Sequence, residues 1–184
     1  SLNDKLFQRV KSVYERRDSL NLDADQKRLV ELIYKGFERS GANLSAENID
    51  KIFGDRDIII DALDNLYSRV VVSRYAREND IPYIHGAIHG TQGQLSVFTK
   101  DTVSYEELFS LPSLGKELGE ETEAEIKKLT KGVPPVIGPV PNIVGCLEAF
   151  EAYKLVTGIG EVTYAPKILN FDLLNLESFK VLEL

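Results

Sequence analysis

A chain of 184 residues with 43% apolar and 28% charged side chains has room for one core of ordinary globular composition. Its net charge of −7 argues against non-specific binding to nucleic acid or an anionic membrane, because phosphate neutralisation needs a basic patch. The single cysteine excludes an internal disulfide and a cysteine-based zinc cluster. No apolar run approaches the roughly 20 residues that span a bilayer, so the expected protein is soluble and cytoplasmic.

Residues 1–44 are predicted to form a helical hairpin. Leu6, Val10, Val13 and Tyr14 line one face of its first helix; Leu29, Leu32, Ile33 and Phe37 line one face of the second. Asp23 and Gln26 have the spacing of a capping box, and Gly41 supplies a stop. Ser45 reads as the N-cap of a third, short helix that ends at Gly54, with Leu44 and Ile49 as its hydrophobic staple.

Residues 45–184 are expected to form an α/β domain whose mixed sheet begins with parallel strands and continues with antiparallel ones. Ile58, Ile59 and Ile60 are a solid apolar run, the pattern of a strand at 57–62 covered on both faces. Tyr67, Val70, Val71, Arg74 and Tyr75 then give a helix to about Glu78. A second strand, parallel to the first, is expected over 81–87, followed by a turn at Gly90-Thr-Gln-Gly93 and a third strand over Gln94–Phe98. Lys116 to Lys131 reads as an exposed helix with Glu123 and Lys127 at pairing distance. Four prolines between Val133 and Pro141 predict an extended crossover. Asn142 then opens the most apolar helix of the chain, which runs to Thr157, stops at Gly158 and should cover one face of the sheet. Lys167–Leu173 and Phe179–Leu184 read as closing strands joined by a turn at Asn175–Ser178.

Asp61, Asp64, Asn65 and Arg69 form the leading candidate site. Ligands sit past the carboxyl ends of strands in open α/β sheets. Carboxylates there can hold Mg2+ through hard oxygen ligands. The same spacing also suits helix capping by Asp64 or Asn65. His85 and His89 lie four apart among strand-forming residues, without the glutamate of an H-E-x-x-H motif, so neither a zinc site nor metallopeptidase activity is expected. Cys146 falls inside the apolar helix and reads as a small buried hydrophobe. No G-x-G-x-x-G phosphate loop occurs.

The pattern Asp61-x-x-Asp64-Asn65-x-x-x-Arg69, with the glycine-rich stretch around Gly86, Gly90 and Gly93 and the apolar helix that follows the crossover, resembles the ThiF/MoeB/HesA family of ubiquitin-activating-type adenylating enzymes over residues 45–184. The resemblance implies ATP and Mg2+ as cofactors, with Asp64 as the catalytic residue facing Mg-ATP and Asn65 and Arg69 binding the nucleotide with it. It also implies a ubiquitin-like or sulfur-carrier protein as partner, and a homodimer. The C-x-x-C zinc ligands common in that family are absent, as is a catalytic cysteine in the crossover. The half of the family that cradles the nucleotide is missing from the match. Residues 6–22 and 35–44 resemble instead a helical segment of the thimet-oligopeptidase/peptidyl-dipeptidase metallopeptidases. That suggests either a junction near residue 44 or a chance likeness of charged helices. Three functions remain open: acyl-adenylate formation on a carrier protein, a non-catalytic carrier-binding or dimerisation module, and an inactive chimera or fragment.

Overall fold

Alternation of side chains along Tyr83–Phe98 builds the centre of the fold. The computed structural model describes residues 2–39, 46–129 and 135–184. The expected stop at Gly41, the Ser45 cap with its Leu44 staple, Lys131 and the start of the crossover at Val133 lie outside those residues. The chain divides into two compact units, Ser1–Asn48 and Ile49–Leu184.

In the first unit, helices α1 (Leu2–Glu15) and α2 (Ala24–Arg39) pack against each other. The capping box forms as the spacing predicts: Asp23 Oδ1 accepts from the Gln26 backbone at 2.8 Å and Gln26 Oε1 accepts from the Asp23 backbone at 3.1 Å. The interior of the pair is aromatic, with Phe7 buried against Tyr34 and Phe37 and Tyr14 stacked on Tyr34 at 4.0 Å. This corrects the predicted faces. Leu6, Leu29, Leu32 and Ile33 are exposed, and the rings beside Leu6 and Ile33, Phe7 and Tyr34, fill the interface instead.

The second unit contains the end of α3 (Ala46–Phe53) and a five-stranded sheet in the order β1 (Ile59–Ile60), β2 (Tyr83–His89), β3 (Gln92–Phe98), β4 (Lys167–Asp172), β5 (Asn175–Glu183). β1 runs parallel to β2 and the remaining pairs are antiparallel, as expected. β1 is shorter than predicted, and Ile60 is half exposed rather than buried, because β1 is an edge strand. A two-residue loop, Gly90–Thr91, joins β2 to β3. Its first position has φ +61°, the conformation for which a II′ turn recruits glycine. The last hairpin turns at Leu173–Leu174, not at 175–178. The Asp172 carboxylate captures the Leu174 N–H at 3.0 Å, which lets Asn175 pair with Asp172 and begin β5.

Helix α7 (Pro139–Thr157) lies on one sheet face, where Leu147 and Leu155 pack against Ile84, Leu95 and Val97. It starts three residues before the predicted Asn142, since proline's fixed φ suits a first helical turn. The helices α4 (Leu66–Glu78), α5 (Tyr105–Leu108) and α6 (Glu120–Leu129) form a group beside the sheet. Arg74 of α4 binds both Glu106 oxygens, at 2.6 and 2.7 Å, and the carbonyls of Ser113 and Lys116, tying α5 and its following loop to α4. α6 forms its predicted Glu123–Lys127 pair at 2.6 Å, yet buries Thr122 and Ile126 on its inner side.

Candidate functional site at the carboxyl end of β1

Five residues separate β1 from α4, and their geometry is set by one buried side chain, Asp61, and one part-buried one, Arg69. Asp61 is almost fully buried, and its Oδ1 accepts the backbone N–H of Leu63 at 2.8 Å. Its Oδ2 accepts from the Tyr83 hydroxyl and from His85 Nδ1, both at 2.9 Å. The Arg69 guanidinium approaches the same oxygen at 2.9 Å through Nε, in ion-pair contact but off the hydrogen-bond axis. Arg69 Nη2 donates to the Leu63 carbonyl at 2.7 Å and to the Gly86 carbonyl at 3.1 Å. The short segment is thus gripped from below by Asp61 and from the helix side by Arg69, and the grip is anchored on β2.

Burial alone would raise the Asp61 pKa, but the hydrogen bond from His85 and the charge of Arg69 hold its carboxyl below the usual carboxylate range. Burial pushes His85 downward, with Asp61 pulling the other way, so the imidazole is neutral at pH 7. Its ring is packed edge-on to Tyr105 at 5.0 Å and Phe109 at 5.5 Å. Burial also drives the Tyr83 and Tyr105 phenols above their ordinary range.

Asp64 is exposed at the end of the gripped segment and accepts a hydrogen bond from Asn65 Nδ2 at 3.2 Å. Asn65 caps α4: its Oδ1 accepts the Ser68 N–H at 2.8 Å from an extended backbone. The four sequence candidates therefore share one corner but differ in availability. Asp61 is consumed by protein partners, Asn65 caps the helix, Arg69 braces the loop, and Asp64 alone presents carboxylate oxygens outward. A hard, exposed carboxylate fits Mg2+ brought by a nucleotide; the fully engaged Asp61 does not. Among the described residues no group of three or more histidine, cysteine or acidic side chains is placed to hold a metal ion, and no helix is long and apolar enough to cross a membrane.

Tyr83 and Glu148 escaped the sequence analysis, and His85 entered it only as a metal-ligand candidate. Tyr83 and His85 occupy one face of β2, and period-two alternation with Asp61 nearby was the available signal. Glu148 was hidden in an apolar run. With Val140, Val144 and Glu151 it forms the buried stripe of α7, at the spacing of a helical face. The Glu148 carboxyl fills the niche that Gly86 leaves by lacking a side chain. Among the described residues its Oε1 finds no hydrogen-bond partner. Burial, assisted by the charge of Asp61, raises its pKa to about 8. Cys146, expected in the core, is exposed. The helix turns its stripe of two valines and two glutamates inward and leaves the cysteine outside.

The chain belongs to the ThiF family, whose profile matches residues 8–184. That match runs through the opening helices, so the peptidase likeness of residues 6–44 finds no support. Among its relatives are the SAMP-activating enzyme E1 of Haloferax volcanii, 30% identical over 135 residues covering 73% of this chain and 46% of that protein, and the adenylyltransferase and sulfurtransferase MOCS3 of Arabidopsis thaliana, 34% identical over 133 residues covering 72% and 26%. The chain spans about half, or less, of the length of these curated relatives. In fold it is similar to PaaA, with a TM-score of 0.55 at 16% identity covering 94% of this chain and 58% of that one. It is likewise similar to the microcin C7 biosynthetic enzyme MccB in complex with N-formylated MccA, with a TM-score of 0.55 at 17% identity covering 89% and 51%.

Proposed function

We propose that this chain carries the acidic half of an ATP-dependent adenylation site that acts on the C-terminal carboxylate of a ubiquitin-like or sulfur-carrier protein. The observation that carries the reading is Asp64: an outward carboxylate held past the end of a parallel strand by a buried Asp61–Arg69 brace. In the reaction an oxygen of the carrier carboxylate attacks the α-phosphorus of ATP. The bond to the leaving pyrophosphate breaks, and a mixed acyl-phosphate anhydride remains. Mg2+ bound with ATP would neutralise phosphate charge. Asp64 would orient that complex, while Asn65 and Arg69 fix where Asp64 stands.

The phosphate-cradling loop is not among these 184 residues by motif, so Mg-ATP titrated calorimetrically into the chain alone should bind weakly or not at all; micromolar affinity would overturn that division. With a nucleotide-binding half supplied, Asp64→Asn should greatly reduce carrier-dependent pyrophosphate exchange while leaving the unfolding midpoint unchanged. Exchange at the unmutated rate would reduce Asp64 to a surface residue.

A homodimer is part of the same reading. Phe150, Tyr153 and Val156 of α7 stand exposed, at 65%, 50% and 76%. A monomer seldom leaves such a continuous apolar face uncovered, and a twofold pair is the simplest closed solution. Sedimentation equilibrium at tens of micromolar should give twice the chain mass, and a clean monomer would reject it.

A further inference from the structure

We propose that the cavity at the carboxyl end of β2, beside β3 and β4, binds a cationic, donor-rich group: the guanidinium or ammonium of a peptide side chain or of a free small molecule. It encloses about 420 Å3 and carries the polar groups of Gln92, Gln94, Asn170 and Asp172, a size suited to a side chain or a small ligand. Because β1 and β2 are parallel, it opens at the same end of the sheet as Asp64.

Two features fix what the cavity offers. Gln94 is oriented by a buried relay. The ionised Asp61 can only accept, so His85 Nδ1 must carry the proton between them at 2.9 Å. The neutral imidazole then presents a lone pair at Nε2, and the Gln94 amide nitrogen, 3.3 Å away, must donate to it. The Gln94 carbonyl oxygen is left for the cavity. Asp172 is the second feature. Its Oδ1 is occupied by Leu174 N and Thr91 Oγ1, at 3.0 and 2.7 Å. Among the described residues its Oδ2 has only a long contact from Gln92 Nε2, at 3.3 Å. The Leu174 N–H, with the Thr91 hydroxyl, holds the carboxyl below its ordinary range, so it is charged at pH 7. The cavity thus presents an amide oxygen and a half-free carboxylate, with His89 and Ser178 also in its lining, and among the described residues no lysine or arginine lines it. Lys180, opposite Asn170 in β5, lies outside the lining.

The binding is independent of the adenylation reading and is tested without nucleotide. The 15N-labelled full chain is titrated, by amide chemical shift, with a doubly blocked Ala-Arg-Ala peptide, its citrulline counterpart and free arginine. The arginine peptide should give saturable shifts at Gly93 and Phe171, with at least tenfold weaker binding of the uncharged citrulline peptide. Tighter binding of the peptide than of free arginine assigns the group to a peptide; the reverse assigns it to a small molecule. Gln94→Leu and Asp172→Asn should each weaken binding at least fivefold. Because Asp172 also holds its turn, Gln92→Lys serves as a second variant. It sets a cation beside Asp172 from an exposed position and should weaken binding by the same margin. Absent saturation, equal affinity for the citrulline peptide, or indifference to Gln94→Leu and Gln92→Lys would each overturn the proposal.

Discussion

Helices α4 and α7 flank the same central strands and solve burial in opposite ways. α4 is mixed in sequence, but it buries Val70, Val71, Val72, Tyr75 and Ala76 and sends its arginines into defined ion pairs and carbonyl contacts. α7 is the most apolar helix of the chain, yet its buried stripe is Val140, Val144, Glu148 and Glu151, while Phe150, Tyr153 and Val156 face outward. Glu151 is satisfied: the Thr163 N–H and hydroxyl and the Lys154 ammonium all reach its carboxylate. Glu148 is not. The contrast teaches that mean apolarity does not tell which side of a helix is core. Periodicity does, and polar residues inside the stripe mark where the packing carries something besides hydrophobic area.

The comparison can be broken most forcefully at Arg69. Arg69→Leu leaves Asp61 as a buried charge without its cation and frees the Leu63 and Gly86 carbonyls. The expected loss is about 3–5 kcal/mol in urea unfolding. Arg69→Lys keeps the charge but not the paired donors and should fall between. A loss under about 1 kcal/mol would mean that α4 is held by its valines alone.

Next comes the seam between α7 and β2. A Cβ at Gly86 would meet the Glu148 carboxyl and stand 2.6 Å from Val144 Cγ1. Gly86→Ala should therefore cost about 1–3 kcal/mol by overpacking. The double variant with Glu148→Ala should recover part of that, because one of the two obstacles is gone. Strictly additive losses would show that Glu148 does not occupy the niche.

These elements also show what could be read in the sequence. The β2–β3 hairpin, the limits of α4 and the Asp23–Gln26 box were legible because each rests on local chemistry within a few residues, and the parallel β1–β2 pair because a helix between two apolar strands returns the chain in the same direction. The exposure of Ile60 was not, since it depends on β1 lying at the sheet edge. The Leu173–Leu174 turn was missed because its signal is the Asp172 side chain, while the two turn residues look like strand. At the candidate site, the corner holding Asp61, Asp64, Asn65 and Arg69 could be read from spacing. How the four divide between brace, cap and outward carboxylate depends on Tyr83, His85 and Gly86, about 20 residues away, and no local pattern encodes that.

Glu148 sharpens the comparison through pH. Its pKa rises from an ordinary value near 4.5 to about 8 on folding, so between those values the folded chain holds a proton that the unfolded chain releases. Stability from this group is full below about pH 4.5 and is lost progressively as pH rises to about 8. Glu148→Gln removes the titration while keeping the shape. Its melting temperature, relative to the unmutated chain, should climb across that window and level off above it. A constant difference from pH 5 to 8.5 would mean that Glu148 is already ionised when folded.

The smallest effect is expected on the outer side of α7. Cys146 is exposed and lies off the buried stripe, so trimming it removes little packing. Cys146→Ala should change the unfolding free energy by no more than about 0.5 kcal/mol, the range of ordinary surface substitutions. A core cysteine would have left a cavity and a larger loss. The thiol gives an independent check through its access to solvent. Under native conditions a maleimide should label Cys146 at dilute protein concentration, where a dimer would dissociate, and more slowly at tens of micromolar if the Phe150–Val156 face is covered by a second copy. Labelling that is slow at every concentration, together with a loss of 1–2 kcal/mol in Cys146→Ala, would place the cysteine inside and turn the helix by about half a revolution from the arrangement described.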